Sequence, residues 1–266
     1  FSDWSSDVCS SDLLFFFATI ILSVSADLEK CSHNDFGMCS NNNCAVSWDY
    51  VLHVQTWAGQ FCKTKCCDLP KTTMAIKSGF TMHGWWPNFV SGYPACCKSP
   101  YSDSDVSRMI SSDSSFKKQL AYNWPSLSKC KFFNYEYDKH GTCLTNVYDG
   151  ATGPKDYAMA AMKLQNDHDM WKLFSSNGVV ADGRTTYKKS WLRDLAEKEY
   201  GVSGSVYFTC TGKYLQELRT CTTVSKSSKD MPTVIACPKG AMRQETCGDK
   251  IIFAEELVLT DGGCDY

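Results

Sequence analysis

Sixteen of the 266 residues are cysteine, spread from Cys9 to Cys264 and including the adjacent pairs Cys66-Cys67 and Cys96-Cys97. A chain this dense in thiols points to a fold tied by disulfides in an oxidising compartment. Zinc is the competing use of cysteine and fits poorly. CxxC knuckles are absent, and none of the five histidines stands in a Cys/His spacing typical of a finger. No metal and no other cofactor is expected.

The N-terminus agrees with export. "LLFFFATIILSVSA" (13–26) is an apolar run of signal-peptide length that ends Val24-Ser25-Ala26, a small-residue cleavage pattern. It is too short to span a membrane, and no later stretch is longer, so the mature chain is expected to be soluble. The preceding "FSDWSSDVCSSDL" lacks an initiator Met and any Lys or Arg, and reads as a non-native leader. Residues 1–26 are therefore set apart, leaving one domain over 27–266. Cleavage after Ala26 removes Asp3, Asp7, Asp12 and Cys9, which brings the charge close to neutral and leaves an odd number of thiols. No N-x-S/T sequon is present, so N-glycosylation is not expected.

With 27 basic and 29 acidic residues, the formal charge is -2 and the pI about 6.2. This excludes the strongly basic footprint of a protein that holds long nucleic acid electrostatically. A polyanionic substrate would have to be held locally, by a few placed side chains.

The order of elements suggests one α+β domain, an antiparallel central sheet with several helices. "SWDYVLHVQTW" (47–57) reads as a buried strand, and "KSGFTMHGWWP" (77–87) as a second, broken by Gly84 and stopped by Pro87. Residues 102–125 carry a helical pattern through Val106, Ile110 and Leu120, with Ser102 or Ser104 as N-cap. Two further helices follow over 155–178 and 185–201. The first has Met159, Met162, Met170 and Phe174 near one stripe; the second has Trp191, Leu192 and Leu195 as its apolar face. Strands return at 205–210, 214–221, 233–237 and 250–259.

Two segments hold the groups for acid–base chemistry. In "NYEYDKHGTC" (134–143) a helix would place Glu136, Lys139 and His140 on one face. A solvated i,i+4 ion pair is the simpler reading, but the bulky Phe132, Phe133, Tyr135 and Tyr137 anchor this segment against a core. In "GFTMHGWWPNF" (79–89) His83 stands beside Gly84, where a backbone turns sharply or is closely approached. Alone, His83 reads as a structural histidine more readily than as a catalyst.

Together, "FTMHGWWPNF" and "FFNYEYDKHGTC" resemble the two active-site segments of the ribonuclease T2 family, secreted or vacuolar acid endoribonucleases. "WDYVLHVQTWAGQFC" resembles that family's first core strand, with Ala58 where Pro is usual. The likeness extends through "CKTKCC", the helical middle and the C-terminal cysteines, over residues 47–260. It implies cleavage of single-stranded RNA by metal-independent transesterification through a 2',3'-cyclic phosphate, with an acidic optimum. His140 would be the general base and His83 the general acid, with Glu136 and Lys139 flanking the phosphate. Trp86 and Gln55 are candidates for contacting the substrate, although a core role suits each equally. His33, His53 and His168 read as structural or surface residues, and Lys188-Lys189 as a solvated helix face.

The chain departs from the family at Tyr135, where a phosphate-binding histidine often stands, at Phe133 and Tyr137, where Trp is common, and at Trp85, usually Leu. Tyr135 is expected to alter the grip on phosphate. The resemblance further implies bridges Cys62–Cys66, Cys67–Cys130, Cys96–Cys143 (Cys97 being able to replace Cys96), Cys210–Cys247 and Cys221–Cys237. Cys31, Cys39, Cys44, Cys97 and Cys264 are left unassigned. A monomer acting on RNA, secreted or held in a vacuole, is expected. A family member serving mainly in recognition, as an effector or in storage is the alternative.

Overall fold

Residues Tyr50–Trp57, strand β1, are buried along their whole length, and the fold is arranged around them. The computed structural model describes residues 36–39, 47–65, 67 and 76–257. The expected signal peptide and the leader lie outside the described residues. After β1 come α1 (Ala58–Thr64) and β2 (Phe80–Asn88). The helical middle holds α2 (Asp103–Ser112), α3 (Ser114–Asn123), α4 (Phe132–Lys139), α5 (Gly153–Asp167) and α6 (Met170–Ser176). Then β3 (Thr186–Lys188) and α7 (Lys189–Tyr200) lead into β4 (Val206–Thr211) and β5 (Tyr214–Thr223). The last elements are β6 (Thr233–Val234), α8 (Lys239–Met242) and β7 (Lys250–Ile252).

The sheet runs β2-β1-β5-β7-β3, with β4 and β6 also paired to β5. Every pairing is antiparallel except that of β5 with β7, where Tyr214 lies opposite Ile252. The fold is thus an α+β, disulfide-rich domain, with one parallel contact in its antiparallel sheet. Strand alternation sorts β1 into two faces. Val51 and Trp57 enter cores built with the helices: Val51 packs with residues of α2 to α5, Trp57 with residues of α6, α7 and β4. Tyr50, Leu52 and Val54 point the other way and pack with Tyr207, Cys221 and Ala241.

Several expected boundaries shift for local reasons. The single helix expected over 102–125 is two, because Asp113 leaves helical geometry and accepts from the N–H groups of Ser115 and Phe116, capping α3. Gly84 and Pro87 do not interrupt β2. It is an edge strand, where a missing N–H leaves no ladder bond unmade. On α7 the buried stripe falls on Leu192 and Ala196. Trp191 lies 36% exposed and stacks on Tyr187 at 6.1 Å.

The bridges hold two corrections. Cys210 is joined to Cys247 and Cys221 to Cys237, as the resemblance implies. Cys62, however, is joined to Cys67, so neither Cys62–Cys66 nor Cys67–Cys130 forms. Lys65 leaves α1 extended (φ -130°, ψ 149°), and the chain returns Cys67 to within 5.4 Å of Cys62 between Cα atoms. Cys130 is disulfide-bonded to a different partner. Cys143 takes Cys97 rather than Cys96, and Cys96 takes Cys39. Cys96 has φ 53°, a left-handed conformation uncommon outside glycine, and this sends the neighbouring thiols apart. Cys97 points into the core and Cys96 out to the lead-in segment. Cys9, Cys31, Cys44, Cys66 and Cys264 lie outside the described residues.

Peptide mapping of the non-reduced protein should recover the Cys39–Cys96 and Cys97–Cys143 links. A Cys97→Ser/Cys143→Ser double variant should lose about 2–4 kcal/mol of unfolding free energy in denaturant titration. Recovery of a Cys96–Cys143 peptide would contradict this connectivity.

Candidate active site

A bulge in β2 decides where its histidine points. Val54 of β1 pairs with Gly84 and Gln55 with Met82, so His83 is the extra residue between two paired positions. A bulge inserts one residue and shifts the alternation that follows. Met82 and Trp85 therefore both face the helices, while Thr81, His83, Trp86 and Asn88 line a cleft on the opposite side. The backbone here is clamped: Trp124 Nε1 donates to the His83 carbonyl (2.9 Å) and the Tyr157 hydroxyl to that of Trp85 (2.6 Å).

The second segment arrives on α4. Lys131 starts the helix from a left-handed conformation, and Phe133 and Tyr137 bury one stripe against Trp124 and Tyr157. This turns Tyr135, Glu136, Lys139 and His140 toward the cleft, although the helix ends at Lys139 and His140 is its C-cap. A 3-10 turn over Gly141–Leu144 then carries Cys143 to its bridge with Cys97.

The two segments meet at Trp86 and Glu136. The indole Nε1 of Trp86 donates to Glu136 Oε2 at 2.6 Å. A Cβ added at Gly84 would land on both the indole nitrogen and that carboxylate oxygen, so glycine is needed for the close approach. The Trp86 ring lies edge-on to His83 (centroids 4.9 Å) and tilted against His140 (5.2 Å). His83 Nε2 stands 3.9 Å from Glu136 Oε1. The two imidazoles therefore share one indole, and His83 also faces the carboxylate that this indole holds.

Their environments differ. Burial opposes charge on His83, but a hydrogen bond and the charge of Glu217, together with the charge of Glu136, raise its pKa above the usual value. His140, 7% exposed, is pushed well below the usual value by burial, then by Lys139 and His83. The two environments thus push the rings in opposite directions, His83 toward its charged form and His140 toward its neutral one. Burial also raises the pKa of Glu136, against the pull of His83, Trp86 and Lys139.

Lys139 donates to the Tyr135 hydroxyl at 3.3 Å and sits over its ring. Tyr135 stacks on Phe36 at 4.9 Å, in the segment that Cys39–Cys96 fastens to this face. The cleft has a volume of about 1330 Å³. Its wall carries Lys65, Lys129, Lys139, Arg219 and Arg243, with Glu136 as the one acidic side chain among the described lining residues. The site is locally basic in a chain of net negative charge.

Gln55 is a correction. It lies on the helix-facing side of β1 with Val51 and Trp57, buried opposite Leu218, and does not line the cleft. Strand periodicity gives the cleft Leu52 and Thr56 instead. His53, on the same inner face, meets the Ala161 carbonyl at 3.1 Å, and burial lowers its pKa to about 4. His168 pairs with Glu199, and His33 lies outside the described residues. Lys189 is tied to Glu245 at 2.7 Å rather than free on a solvated face. Sequence reasoning missed Glu217, Arg219 and Tyr93. Glu217 and Arg219 bear on His83 and Trp86 from β5, and Tyr93 faces His140 at 5.8 Å. The pattern Leu-x-Glu-x-Arg-x-Cys over 215–221, two opposite charges on a face flanked by buried residues, was the available signal. Among the described residues no group of three or more His, Cys, Asp or Glu is placed to hold a metal ion, and no helix is long and apolar enough to cross a membrane.

The family model described as Ribonuclease T2 family matches residues 48–237. Extracellular ribonuclease LE of Solanum lycopersicum is 35% identical over 153 residues, 54% of this chain and 61% of that protein. Ribonuclease Rh of Rhizopus niveus is 31% identical over 202 residues, 71% of this chain and 77% of its own. Among solved structures, RNase NT in complex with 5'-AMP superposes with a TM-score of 0.61 at 26% identity, covering 78% of this chain and 98% of that one.

Gly84→Ala should break the Trp86–Glu136 hydrogen bond and leave a buried carboxylate unpaired, costing about 1–3 kcal/mol in urea unfolding. Trp86→Phe, which removes the donor without a clash, should cost a similar amount. A Gly84→Ala protein as stable as the parent would contradict the close approach.

Proposed function

Because the chain belongs to the ribonuclease T2 family, we propose that it is an endoribonuclease that cleaves single-stranded RNA by acid–base transesterification without a metal ion. The observation that carries this reading is the placement of two imidazoles, His83 and His140, against one indole, in environments that push their pKa values in opposite directions. Removing a proton from the ribose 2'-hydroxyl needs a neutral base, and protonating the departing 5'-oxygen needs a charged acid. Environments that push two titratable groups apart assign those roles.

In this reaction His140 takes the 2'-hydroxyl proton as the 2'-oxygen bonds to phosphorus. The bond from phosphorus to the 5'-oxygen breaks as His83 Nε2 gives its proton to that oxygen. The products are a 2',3'-cyclic phosphate and a free 5'-hydroxyl. The ammonium of Lys139 offsets the charge that builds on the non-bridging oxygens. Glu136, held by Trp86 and with its pKa raised by burial, stands beside the same oxygens. The basic cleft wall holds the phosphodiester chain, and the 5'-AMP bound to RNase NT supports placing a nucleotide there. DNA lacks the attacking oxygen and is spared. Disulfides along the chain suit a place in the secretory pathway, outside the cell or in a vacuole.

Total yeast RNA with EDTA should be degraded to cyclic-phosphate ends, and a single-stranded DNA control should stay intact. The rate should rise as His140 loses its proton, below the usual histidine pKa, and fall as His83 loses its own, above it. The pH–rate profile is therefore a bell with a widened top. His83→Phe and His140→Phe should each lower kcat/KM by about 10²–10⁴. No cleavage at any pH would overturn the reading in favour of a recognition or storage role, and full activity in His83→Phe would overturn the assignment of His83 as the acid.

A further inference from the structure

The acid histidine has a second carboxylate behind it. Glu217 on β5 is buried and does not line the cleft, yet its Oε1 lies 2.6 Å from His83 Nδ1. Its other oxygen, Oε2, accepts from Arg219 Nε (2.9 Å) and Nη2 (2.7 Å) and from the Thr209 hydroxyl (3.3 Å). Arg219 is itself held with its guanidinium over the rings of Trp86 (5.6 Å) and Tyr207 (5.8 Å). Burial resists the charge of Glu217, but His83 and Arg219 bring its pKa down to about 2. Glu217 is therefore a carboxylate across the working range. It is held on one side by a fork of donors and turned on the other toward a single imidazole nitrogen.

Nδ1 is thereby occupied inside the sheet, while Nε2 faces the cleft. We propose that Glu217 is the positioning residue of His83: its carboxylate fixes the ring with Nδ1–H turned into the sheet, so that the proton delivered to the leaving oxygen is the one on Nε2. Arg219 fixes Glu217 in turn and joins this pair to the underside of Trp86. The charged and titratable groups that bear on His83 are Glu217 and Arg219 from β5, Glu136 from α4 and His140 at its end, with Lys139 bearing on Glu136 and His140 in turn. Glu136 stands off at 3.9 Å on the Nε2 side, so of the two carboxylates Glu217 alone is within hydrogen-bond reach of the ring. The role in catalysis rests on the ribonuclease reading; the orientation of the ring does not.

Nitrogen-detected NMR titration of His83 in the full, disulfide-bonded protein separates the two. Neutral His83 should be the Nδ1–H tautomer, and Glu217→Gln should lower its pKa by about 1–3 units, as expected for loss of an adjacent opposite charge. The basic limb of kcat/KM should move down with it, leaving activity at low pH far less affected than activity above the new limb. Glu217→Asp, which keeps the charge on a shorter arm, should restore part of the limb. An Nε2–H tautomer in the parent protein overturns the proposal even if no variant folds. So does a His83 titration unmoved by Glu217→Gln, or a loss of rate equal at every pH. A parent protein inert toward RNA would end the ribonuclease reading while the NMR titration still decides the orientation.

Discussion

The hydrogen bond from Trp86 Nε1 to Glu136 Oε2 joins β2 to α4 and sets the distance between the two halves of the site. Its donor belongs to the strand that carries His83 and its acceptor to the helix that ends in His140. The absence of a side chain at Gly84 is what lets them meet. The clamps on the His83 and Trp85 carbonyls and the Cys97–Cys143 bridge act on the flanks of the same junction. Each fixes backbone, which holds the two imidazoles in place. Such preorganisation lets a few dipoles and charges stabilise a transition state without rearranging.

Electrostatically the site divides into two depths. The cleft wall concentrates Lys and Arg in a chain of net negative charge. Beneath it, carboxylates predominate around His83 and an ammonium lies beside His140. Like side chains thus take unlike charge states through position alone.

Much of this was legible in the chain. The thiol content and the order of strands and helices pointed to an α+β domain, and the resemblance of the two short segments to a known family drew His83, Glu136, Lys139 and His140 to one place. Chain-local signals failed where the answer depended on non-local pairing. Gln55 was misplaced because a strand's face is fixed only once its neighbours are known, and β1 turns that residue inward opposite Leu218. Cys96 and Cys97 are indistinguishable by spacing; a left-handed backbone at Cys96 separates them. Glu217 and Arg219 are far from either segment in sequence, and β5 brings them beneath His83 only through its register on β1. Tyr135 stood out as a departure, and its hydroxyl proves to engage Lys139 directly.

The bulge at His83 makes the first segment a constraint on length as well as on composition. In an unbroken strand, residues three apart point to opposite sides, yet His83 and Trp86 share one side because the extra residue resets the phase between them. Deleting one position there would restore regular pairing and leave Trp86 opposite Leu52 on the cleft side, but it would remove the bulged position from which His83 reaches the cleft. The number of residues in this strand is thus part of the site, as well as their identity.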